Sequence, residues 1–287
     1  MPKTKMLAKE ESNEKIRCLA CSHQCLISEG KTGICGVRKN IKGKLSLLVY
    51  GRLCAVHVDP IEKKPLYHFM PGTKTFSVGT VGCNFHCTFC QNWAISQASE
   101  KGEFFGYNYE PKDVINSALK NNCQSISYTY NEPTIFIEFV KDCATLAKKK
   151  GLKNVMVTNG FMSEECFEYI KSEIDAMNID LKGNDEFYKK ICGARLKPVL
   201  DTIKRADKAR IHVELTTLII PGENDSDKDF EKIAKFIASV NKNIAWHISR
   251  FFPMYKMLDK PITPIETLER AYKIGKKYLK NVHMGNI

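Results

Sequence analysis

From about residue 74 onward, short apolar and β-branched runs alternate with longer amphipathic segments. The short runs are typical of buried strands, and apolar residues spaced three and four apart are typical of helices. The pattern predicts strands at 75–81, 125–130, 154–158, 176–181, 212–220 and 245–251. It predicts helices at 111–120, 133–149, 163–171, 198–209, 226–240 and 264–279.

This alternation indicates an α/β fold built on a parallel sheet with right-handed crossovers. Six strand–helix units are two fewer than a closed eight-stranded barrel requires. We therefore expect a partial (β/α)6 barrel, with a doubly wound sheet as the alternative. Both folds place active sites at the carboxyl ends of the strands, so residues there are the candidates for chemistry.

The first 73 residues lack this alternation. Residues 1–15 are polar and charged, which predicts a disordered or frayed amino terminus. Residues 16–73 contain four clustered cysteines and one short predicted strand near 44–50, which is typical of a small loop-rich unit with little core of its own. The predicted organisation is thus an amino terminus (1–15), a cysteine-rich unit (16–73) and a barrel (74–287).

The segment 59–68 mixes acidic, basic and histidine side chains, and Pro60 and Pro65 stiffen it. One interpretation is a loop that folds over or near the mouth of the barrel. The other is a bridge between the two units that is held by ion pairs.

Composition narrows the class of protein. The 287 residues are 43% hydrophobic and 26% charged, as in ordinary globular proteins. No apolar run approaches the ~20 residues that span a bilayer, and no signal peptide is apparent, so we expect a cytoplasmic protein without a membrane partner. The net charge of +12 could attract RNA, an acidic protein or an anionic cofactor. Because the lysines are spread along the chain, nucleic acid is the weaker prediction.

The chain has twelve cysteines, many of which are clustered. Clustered cysteines in a cytosolic chain indicate metal rather than disulfides. Two clusters stand out: Cys18, Cys21, Cys25 and Cys35, and then Cys83, Cys87 and Cys90. The remaining five are expected to pack as small apolar side chains, namely Cys54, Cys123, Cys143, Cys166 and Cys192.

The second cluster follows the first predicted barrel strand with the spacing Cys-x3-Cys-x2-Cys. Three thiolates on one loop can hold three irons of a cubane cluster, which leaves the fourth iron open to an exogenous ligand. The alternative is a zinc knuckle completed by His86 or a distant residue. The position after a barrel strand and the aromatic Phe89 before the third cysteine favour the cluster.

Cys-x3-Cys-x-aromatic-Cys resembles the signature of the radical S-adenosylmethionine (SAM) superfamily. The resemblance implies a partial (β/α)6 barrel and a [4Fe-4S] cluster held by Cys83, Cys87 and Cys90. It also implies SAM bound at the open iron, and a 5′-deoxyadenosyl radical that takes a hydrogen atom from the substrate.

Further segments at strand ends resemble SAM-proximal elements. Tyr130-Asn131-Glu132-Pro133 resembles a Gly-Gly-Glu-Pro element, although a plain turn into a helix that begins with proline also fits. Thr158-Asn159-Gly160 and Asp180-Leu181-Lys182 resemble segments of glycyl-radical activating enzymes such as the pyruvate formate-lyase activase, but Val157 replaces that group's cation-binding Asp. Segment 219–222 resembles an apolar adenine-contacting element. The cofactor-binding residues that these resemblances imply are Phe89, Gln91, Asn131, Glu132, Thr158, Asn159, Asp180, Lys182 and Ile220.

The amino-terminal cysteines have the spacing Cys-x2-Cys-x3-Cys-x9-Cys. Four thiolates suit tetrahedral zinc or a second iron–sulfur cluster. Zinc is slightly favoured because the first pair has zinc-knuckle spacing, and unliganded structural thiols are the alternative.

The segments 17–25, 33–38, 59–68, 90–97 and 246–251 resemble the AmmeMemoRadiSam system radical SAM enzymes. That resemblance spans residues 16–287 and implies Memo-like and AMMECR-like companion proteins. It also implies a further tail with a Cys-Pro-x-Cys element beyond Ile287.

Three functions compete at this point. The first is an activase-like enzyme that abstracts hydrogen from a protein or peptide and receives electrons from a flavodoxin or ferredoxin. The second is an RNA-modifying radical SAM enzyme, which only the positive charge supports. The third is a non-enzymatic electron-transfer module, which requires a fourth cluster cysteine nearby, and none lies between Cys90 and Cys123.

Overall fold

The structure, a computed structural model, describes residues 6–12 and 14–287. Its main feature is an eight-stranded sheet. Seven strands are mutually parallel, and the eighth pairs antiparallel with its neighbour at one edge of the sheet. From that edge the order is β7 (Ala55–Pro60), β8 (Lys74–Gly79), β10 (Ser125–Tyr128), β11 (Lys153–Thr158), β12 (Ala176–Asp180), β13 (His212–Ile219), β14 (Ala245–Arg250) and β15 (Val282–Gly285).

Helices connect the parallel strands. The described α-helices are α1 (Trp93–Ser96), α2 (Pro111–Lys120), α3 (Ile137–Lys149), α4 (Glu164–Ile170), α5 (Asp185–Phe187), α6 (Leu196–Lys208), α7 (Asp227–Val240) and α8 (Ile265–Lys276). The 3-10 turns are Ile61–Lys63, Ala98–Lys101 and Pro133–Phe136, and a π-helical turn covers Tyr188–Cys192. No helix in the described part of the chain is long and apolar enough to cross a membrane.

The local sequence accounts for these elements. Helix α2 begins with a capping box between Glu110 and Asp113 and with a proline in its first turn, which satisfies its free N–H groups. Its buried residues Val114, Ile115 and Ala118 recur at helical spacing and pack in the main core. Each of the six predicted strands and six predicted helices has a counterpart in the structure, so these predictions are confirmed. In the large sheet, β7 and β15 are additional strands.

Residues 61–70, which we call the strap, close the amino ends of the strands. The strap leaves β7, and Ile61 and Leu66 pack with Val155 of β11 and Ala176 of β12. It ends near β15, where the Nε2 atoms of His68 and His283 lie 2.8 Å apart. One short segment can contact the middle strands and the far edge only because the sheet curves around it, which is the partial barrel predicted above.

The strap corrects both interpretations of segment 59–68. Asp59 pairs with Thr75 near the start of β8, so this segment lies at the amino end of the barrel, opposite the predicted mouth. Its backbone is fixed by buried Glu214, whose carboxylate accepts hydrogen bonds from the N–H groups of Tyr67 and His68 at 3.0 and 2.8 Å. β7 and the strap, which precede the predicted boundary at residue 73, pair or pack with the barrel strands.

The remaining strands build the amino-terminal unit. β1 (Ala8–Glu10), β2 (Ile16–Cys18) and β3 (Leu26–Ile27) form one antiparallel sheet, β4 (Arg38–Ile41) pairs with β5 (Lys44–Leu47), and β6 (Arg52–Leu53) pairs with β9 (Tyr107–Asn108). Residues 8–10 thus pair with β2, so the predicted frayed terminus is wrong there; residues 1–5 and 13 lie outside the described residues.

A buried ion pair joins this unit to the barrel. The Arg38 guanidinium donates to both oxygens of Glu138 on α3 at 2.8 and 2.6 Å, and both side chains are almost fully buried. Although burial opposes its charge, Glu138 holds the pKa of Arg38 above its usual value. Leu7 N–H also donates to Glu138.

We predict that Arg38→Met lowers the free energy of unfolding by about 3–5 kcal/mol, because it leaves the Glu138 carboxylate buried without its charged partner. Denaturant-induced unfolding measures this loss. The matched control is Arg205→Met, which breaks a more exposed pair with Glu164 and is expected to cost at most about 1 kcal/mol. Equal losses in the two variants would contradict the prediction.

A candidate active site at the carboxyl ends of the strands

A cavity of ≈ 470 Å³ lies at the carboxyl ends of the barrel strands, and Cys83, Cys87 and Cys90 line it together. The cysteine loop leaves the end of β8, which points it into this cavity. Asn131 fixes the start of the loop, because its Nδ2 donates to the Gly82 carbonyl at 2.8 Å. The three cysteines thus line one cavity, and their role as ligands stays a prediction.

Gly82 is required by the shape of this loop. Its φ is +93°, a left-handed conformation that favours glycine. A Cβ atom there would lie 2.7 Å from Val37 Cγ1 and 2.9 Å from the Cys35 carbonyl oxygen. The amino-terminal unit therefore packs directly against the start of the cysteine loop.

The three sulfurs lie in a buried environment with hydrogen-bonding partners. Phe85 N–H donates to Cys83 Sγ at 3.4 Å, and Ser96 Oγ lies 3.2 Å from Cys90 Sγ. Burial raises the pKa of Cys83 and of Cys90. A raised pKa favours the protonated form of the Cys83 and Cys90 thiols at neutral pH. A bound metal would displace these two protons.

Glu132 organises the loop after β11. It is fully buried, and its Oε1 accepts from Thr134 N, Thr134 Oγ1 and Thr158 Oγ1 at 2.9, 2.5 and 2.7 Å. Its Oε2 accepts from Asn159 N–H at 2.7 Å. Burial raises the pKa of Glu132 despite these donors. Asn159 in turn donates to Asn84 Oδ1 at 2.8 Å, so one carboxylate connects the β10 and β11 ends to the cysteine loop.

Asp180 and Lys182 bring opposite charges to the cavity from the end of β12. Lys182 Nζ lies 2.7 Å from Asp180 Oδ2 and 5.6 Å from the centre of the Phe89 ring. Burial alone would lower the pKa of Lys182, but Asp180 and the nearby Cys87 sulfur raise it well above its usual value. Lys182 is therefore a partly exposed cation beside the cysteine loop.

Tyr130 forms the floor of the cavity together with Asp59 and Lys64, which both precede β8 in the chain. Its φ of +71° is unusual for a residue with a side chain and costs about 1–3 kcal/mol. This backbone turn aims the hydroxyl group at Asp59 Oδ2, 2.7 Å away, and Lys64 Nζ lies 2.8 Å from the same oxygen. Lys64 also lies over the Tyr130 ring at 4.6 Å, so these contacts offset the strain.

Most predicted cofactor residues meet in this cavity. Its lining includes Phe89, Gln91, Asn131, Glu132, Thr158, Asn159, Asp180 and Lys182. Ile220 is the exception: it is fully buried and lies outside the cavity lining. Ile220 lies just beyond the last residue of β13 and packs in the main core, while Thr216 and Leu218 within β13 line the cavity.

Sequence reasoning missed several residues at the site. The cavity is also lined by Asp59, Lys63, Lys64, Tyr130, Thr216, Leu218 and Ser249. The charge pattern of segment 59–68 was a usable signal, but its location depended on how the strap enters the barrel. Ser249 belongs to β14, whose position at a strand end could have indicated it.

The four amino-terminal thiols are neighbours behind the site. Burial, and to a smaller extent the neighbouring Cys18, raises the pKa of Cys21, Cys25 and Cys35, and that of Cys35 reaches about 11. Backbone N–H groups of His23, Ile34 and Val37 point at these sulfurs. The segment 18–25 packs against the loop after β11, where Ser22 N–H donates to the Phe161 carbonyl at 2.9 Å.

Within the described part of the chain, no three His, Cys, Asp or Glu side chains are arranged to hold a single metal ion. The amino-terminal cysteines are therefore not a ready-made zinc site, and their metal stays a prediction. A cubane cluster does not need that arrangement, because each thiolate binds a different iron. Three thiols on one cavity wall, with Lys182 to offset negative charge, are a donor set that fits a cluster.

Comparisons with known proteins agree with this geometry. Residues 77–237 match the family model of the Radical SAM superfamily. An uncharacterised protein of Methanocaldococcus jannaschii is 44% identical over 284 residues, covering 98% of this chain and 84% of that protein. A putative glycyl-radical enzyme activating enzyme of the same organism is 29% identical over 214 residues, covering 71% of this chain and 77% of that protein.

The fold also resembles a solved structure. A radical SAM methyltransferase from Sphaerobacter thermophilus superposes with a TM-score of 0.57 at 15% identity, covering 76% of this chain and 67% of that one. At this identity the likeness concerns the fold.

Proposed function

This chain belongs to the radical SAM superfamily, and from that premise we propose that it cleaves SAM reductively and abstracts hydrogen from a protein or peptide substrate. One observation carries the proposal. Three cysteines of one loop and the side chains of Glu132, Asn159, Asp180 and Lys182 line a single cavity. These four residues follow successive parallel strands, where α/β folds place their active sites.

The cluster ligands in this proposal are Cys83, Cys87 and Cys90. A [4Fe-4S] cluster with bound SAM supplies one-electron cleavage of SAM and a 5′-deoxyadenosyl radical that removes hydrogen from the substrate. The protein's own part is binding, orientation and exclusion of water.

The residues around the cavity divide this work. Glu132 holds the loop after β11 in place, because it accepts hydrogen bonds from the Thr158 hydroxyl and the Asn159 N–H as well as two from Thr134. Lys182 offers a positive charge that a carboxylate can approach, while Asp180 offers a negative charge to an ammonium group. The strap and the Asp59–Lys64 pair close the cavity on the side of the amino ends of the strands, which excludes water from that side.

One relative supports the proposed substrate class. A similar protein is named as a putative glycyl-radical enzyme activating enzyme, and such a role supports a protein or peptide substrate here. We assign the chain more finely to the AmmeMemoRadiSam system, on the segments compared above, with Memo-like and AMMECR-like companions. A flavodoxin or ferredoxin would supply the electron.

Anaerobic reconstitution tests the proposed function. The protein is incubated with iron, sulfide, SAM and dithionite, and 5′-deoxyadenosine is measured by chromatography. The measurement is repeated with candidate companion proteins, because a true substrate should raise the yield. A protein that binds about four irons and forms no 5′-deoxyadenosine under any of these conditions would contradict the proposal.

We also propose a second metal site at Cys18, Cys21, Cys25 and Cys35. Four neighbouring thiols with backbone N–H groups directed at their sulfurs support it, since such donors stabilise thiolate ligands. The small core around Ile16, Ala20 and Ile27 adds a physical reason, because a metal can supply folding free energy of ~10 kcal/mol or more. The bound metal would hold the segment 18–25 against the loop after β11.

Metal analysis of anaerobically purified protein tests this second site. We predict one zinc with about four irons per chain, or about eight irons if the site holds a cluster. Cys21→Ala should remove the zinc, or half of the iron, because it deletes one of four ligands. Cys123→Ala, a scattered cysteine, is the matched control. About four irons without zinc, together with free alkylation of the four thiols in the folded protein, would show that these cysteines only pack.

A further inference from the structure

Four of the seven histidines in the chain gather where the strap meets the last three strands of the large sheet. They are His212 on β13, His247 on β14, His283 on β15 and His68 in the strap. None of these four side chains lines the cavity. The proposed function therefore uses none of them.

Buried Glu214 accounts for two of the four. Its Oε1 lies 2.9 Å from His212 Nε2, and its Oε2 lies 2.7 Å from His247 Nε2. An ionised carboxylate only accepts hydrogen bonds, so both imidazoles donate to it. With the two backbone N–H groups of the strap, Glu214 then has four donors. The imidazoles of His68 and His283 lie outside this set.

The imidazoles of His68 and His283 direct their Nε2 atoms at each other, with 2.8 Å between the two nitrogens. Packing holds the His283 ring in place. Its centre lies 5.0 Å from that of the Tyr67 ring and 5.2 Å from that of the His247 ring, on which it stacks. His68 is exposed and His283 is half-exposed, so an ion from solvent can reach the two nitrogens.

We propose that His68 and His283 form a binding site for a divalent transition-metal ion, such as Ni²⁺ or Zn²⁺, which joins the strap to β15. Imidazole nitrogens are common ligands of these ions and bind them at about 2.0–2.1 Å. Two such nitrogens at right angles around one ion lie roughly 3 Å apart, which is close to the separation of 2.8 Å found here.

The pair supplies two protein ligands. Because no group of three His, Cys, Asp or Glu side chains in the described part of the chain is arranged for one ion, water would fill the remaining positions. The ion would therefore exchange with solvent instead of remaining bound permanently. The inference goes beyond the proposed function and does not depend on it, since the pair lies outside the cavity.

A hydrogen bond between the two rings is the alternative. It needs one protonated and one bare Nε2 atom, whereas a shared ion needs both Nε2 atoms bare. An exposed hydrogen bond contributes little, because water competes for both nitrogens. A metal ion gains more from this arrangement, since packing and the strap backbone have already ordered the two ligands.

Titration of the anaerobically purified protein with Ni²⁺ tests the site. By isothermal titration calorimetry the wild type should bind one more Ni²⁺ per chain than His68→Ala or His283→Ala. The ion should also raise the midpoint of thermal unfolding by about 2 °C or more in the wild type and not in these two variants, because it binds only the folded strap. The matched control is His57→Ala, which removes an exposed histidine of β7 and should behave like the wild type.

NMR of the imidazole nitrogens locates the ion directly. Octahedral Ni²⁺ is paramagnetic and should broaden the signals of His68 and His283 before that of His57. Equal Ni²⁺ stoichiometry in the wild type and both variants would overturn the inference and leave the pair as a hydrogen bond. Equal broadening of all three histidines would overturn it by showing an adventitious ion only. Ni²⁺ bound at the pair in a protein that never cleaves SAM would contradict the proposed function and support this inference.

Discussion

Cys87→Ala is expected to reduce the formation of 5′-deoxyadenosine from SAM below the limit of detection. Cys87 supplies one of only three thiolates on the cysteine loop, and the cavity wall offers no equivalent donor at that position. An incomplete ligand set assembles the cluster poorly and leaves more than one iron open. The measurement is chromatography of an anaerobic reaction with dithionite, alongside iron analysis of the same sample.

The control for this variant is Cys143→Ala, which removes a buried thiol far from the loop and should retain activity. Cys83→Ala and Cys90→Ala should behave like Cys87→Ala, because the three residues act as one ligand set. Wild-type yields of 5′-deoxyadenosine from Cys87→Ala would refute the assignment of the cluster.

Glu132→Ala is expected to lower the rate of SAM cleavage by at least about 10²-fold, the loss that a displacement of about 1 Å can cause at an active site. Four hydrogen bonds converge on this carboxylate. Removing it leaves buried donors of Thr134, Thr158 and Asn159 without an acceptor, and each such group costs about 1–3 kcal/mol. The loop after β11 should therefore move away from the cysteine loop.

Glu132→Gln tests the same prediction with a smaller change. Its Oε1 can still accept the three hydrogen bonds from Thr134 and Thr158, but its amide nitrogen would face the Asn159 N–H. The rate should thus fall between those of wild type and Glu132→Ala. The control is Glu165→Ala at the exposed start of α4, which should leave the rate unchanged. If Glu132→Ala cleaves SAM at the wild-type rate while remaining folded, the carboxylate does not position the site.

Local pattern was sufficient for the barrel and for the three cysteines that line its cavity. The six predicted strands depend on apolar runs that are buried wherever a parallel sheet forms, and helices such as α2 carry their own capping residues. Cys83, Cys87 and Cys90 lie within eight residues, so their spacing alone brings them together on one loop. Glu132, Asn159, Asp180 and Lys182 follow strands, and parallel strands end at the same face.

The sequence misled where side-chain direction or chain path mattered. Ile220 was predicted at the cavity, but it follows the end of β13 and packs in the core, and Thr216 and Leu218 of that strand line the cavity. Strand β7 and the strap were assigned to the amino-terminal unit, because a short antiparallel edge strand has no helical partner to reveal it. Residues 8–10 form a strand that depends on pairing with β2.

Other features of the site exist only in the folded chain. Asp59 reaches Tyr130 across 71 residues, and Arg38 reaches Glu138 across 100 residues. Each contact depends on the curvature of the sheet and on how the strap and the amino-terminal unit pack against it. By itself, then, the sequence determined the class of barrel and the three cysteines of one loop, because those follow from residues close together in the chain. Tertiary structure alone decided the cavity floor and the buried ion pair behind it, because long-range packing leaves no periodic signal in the sequence.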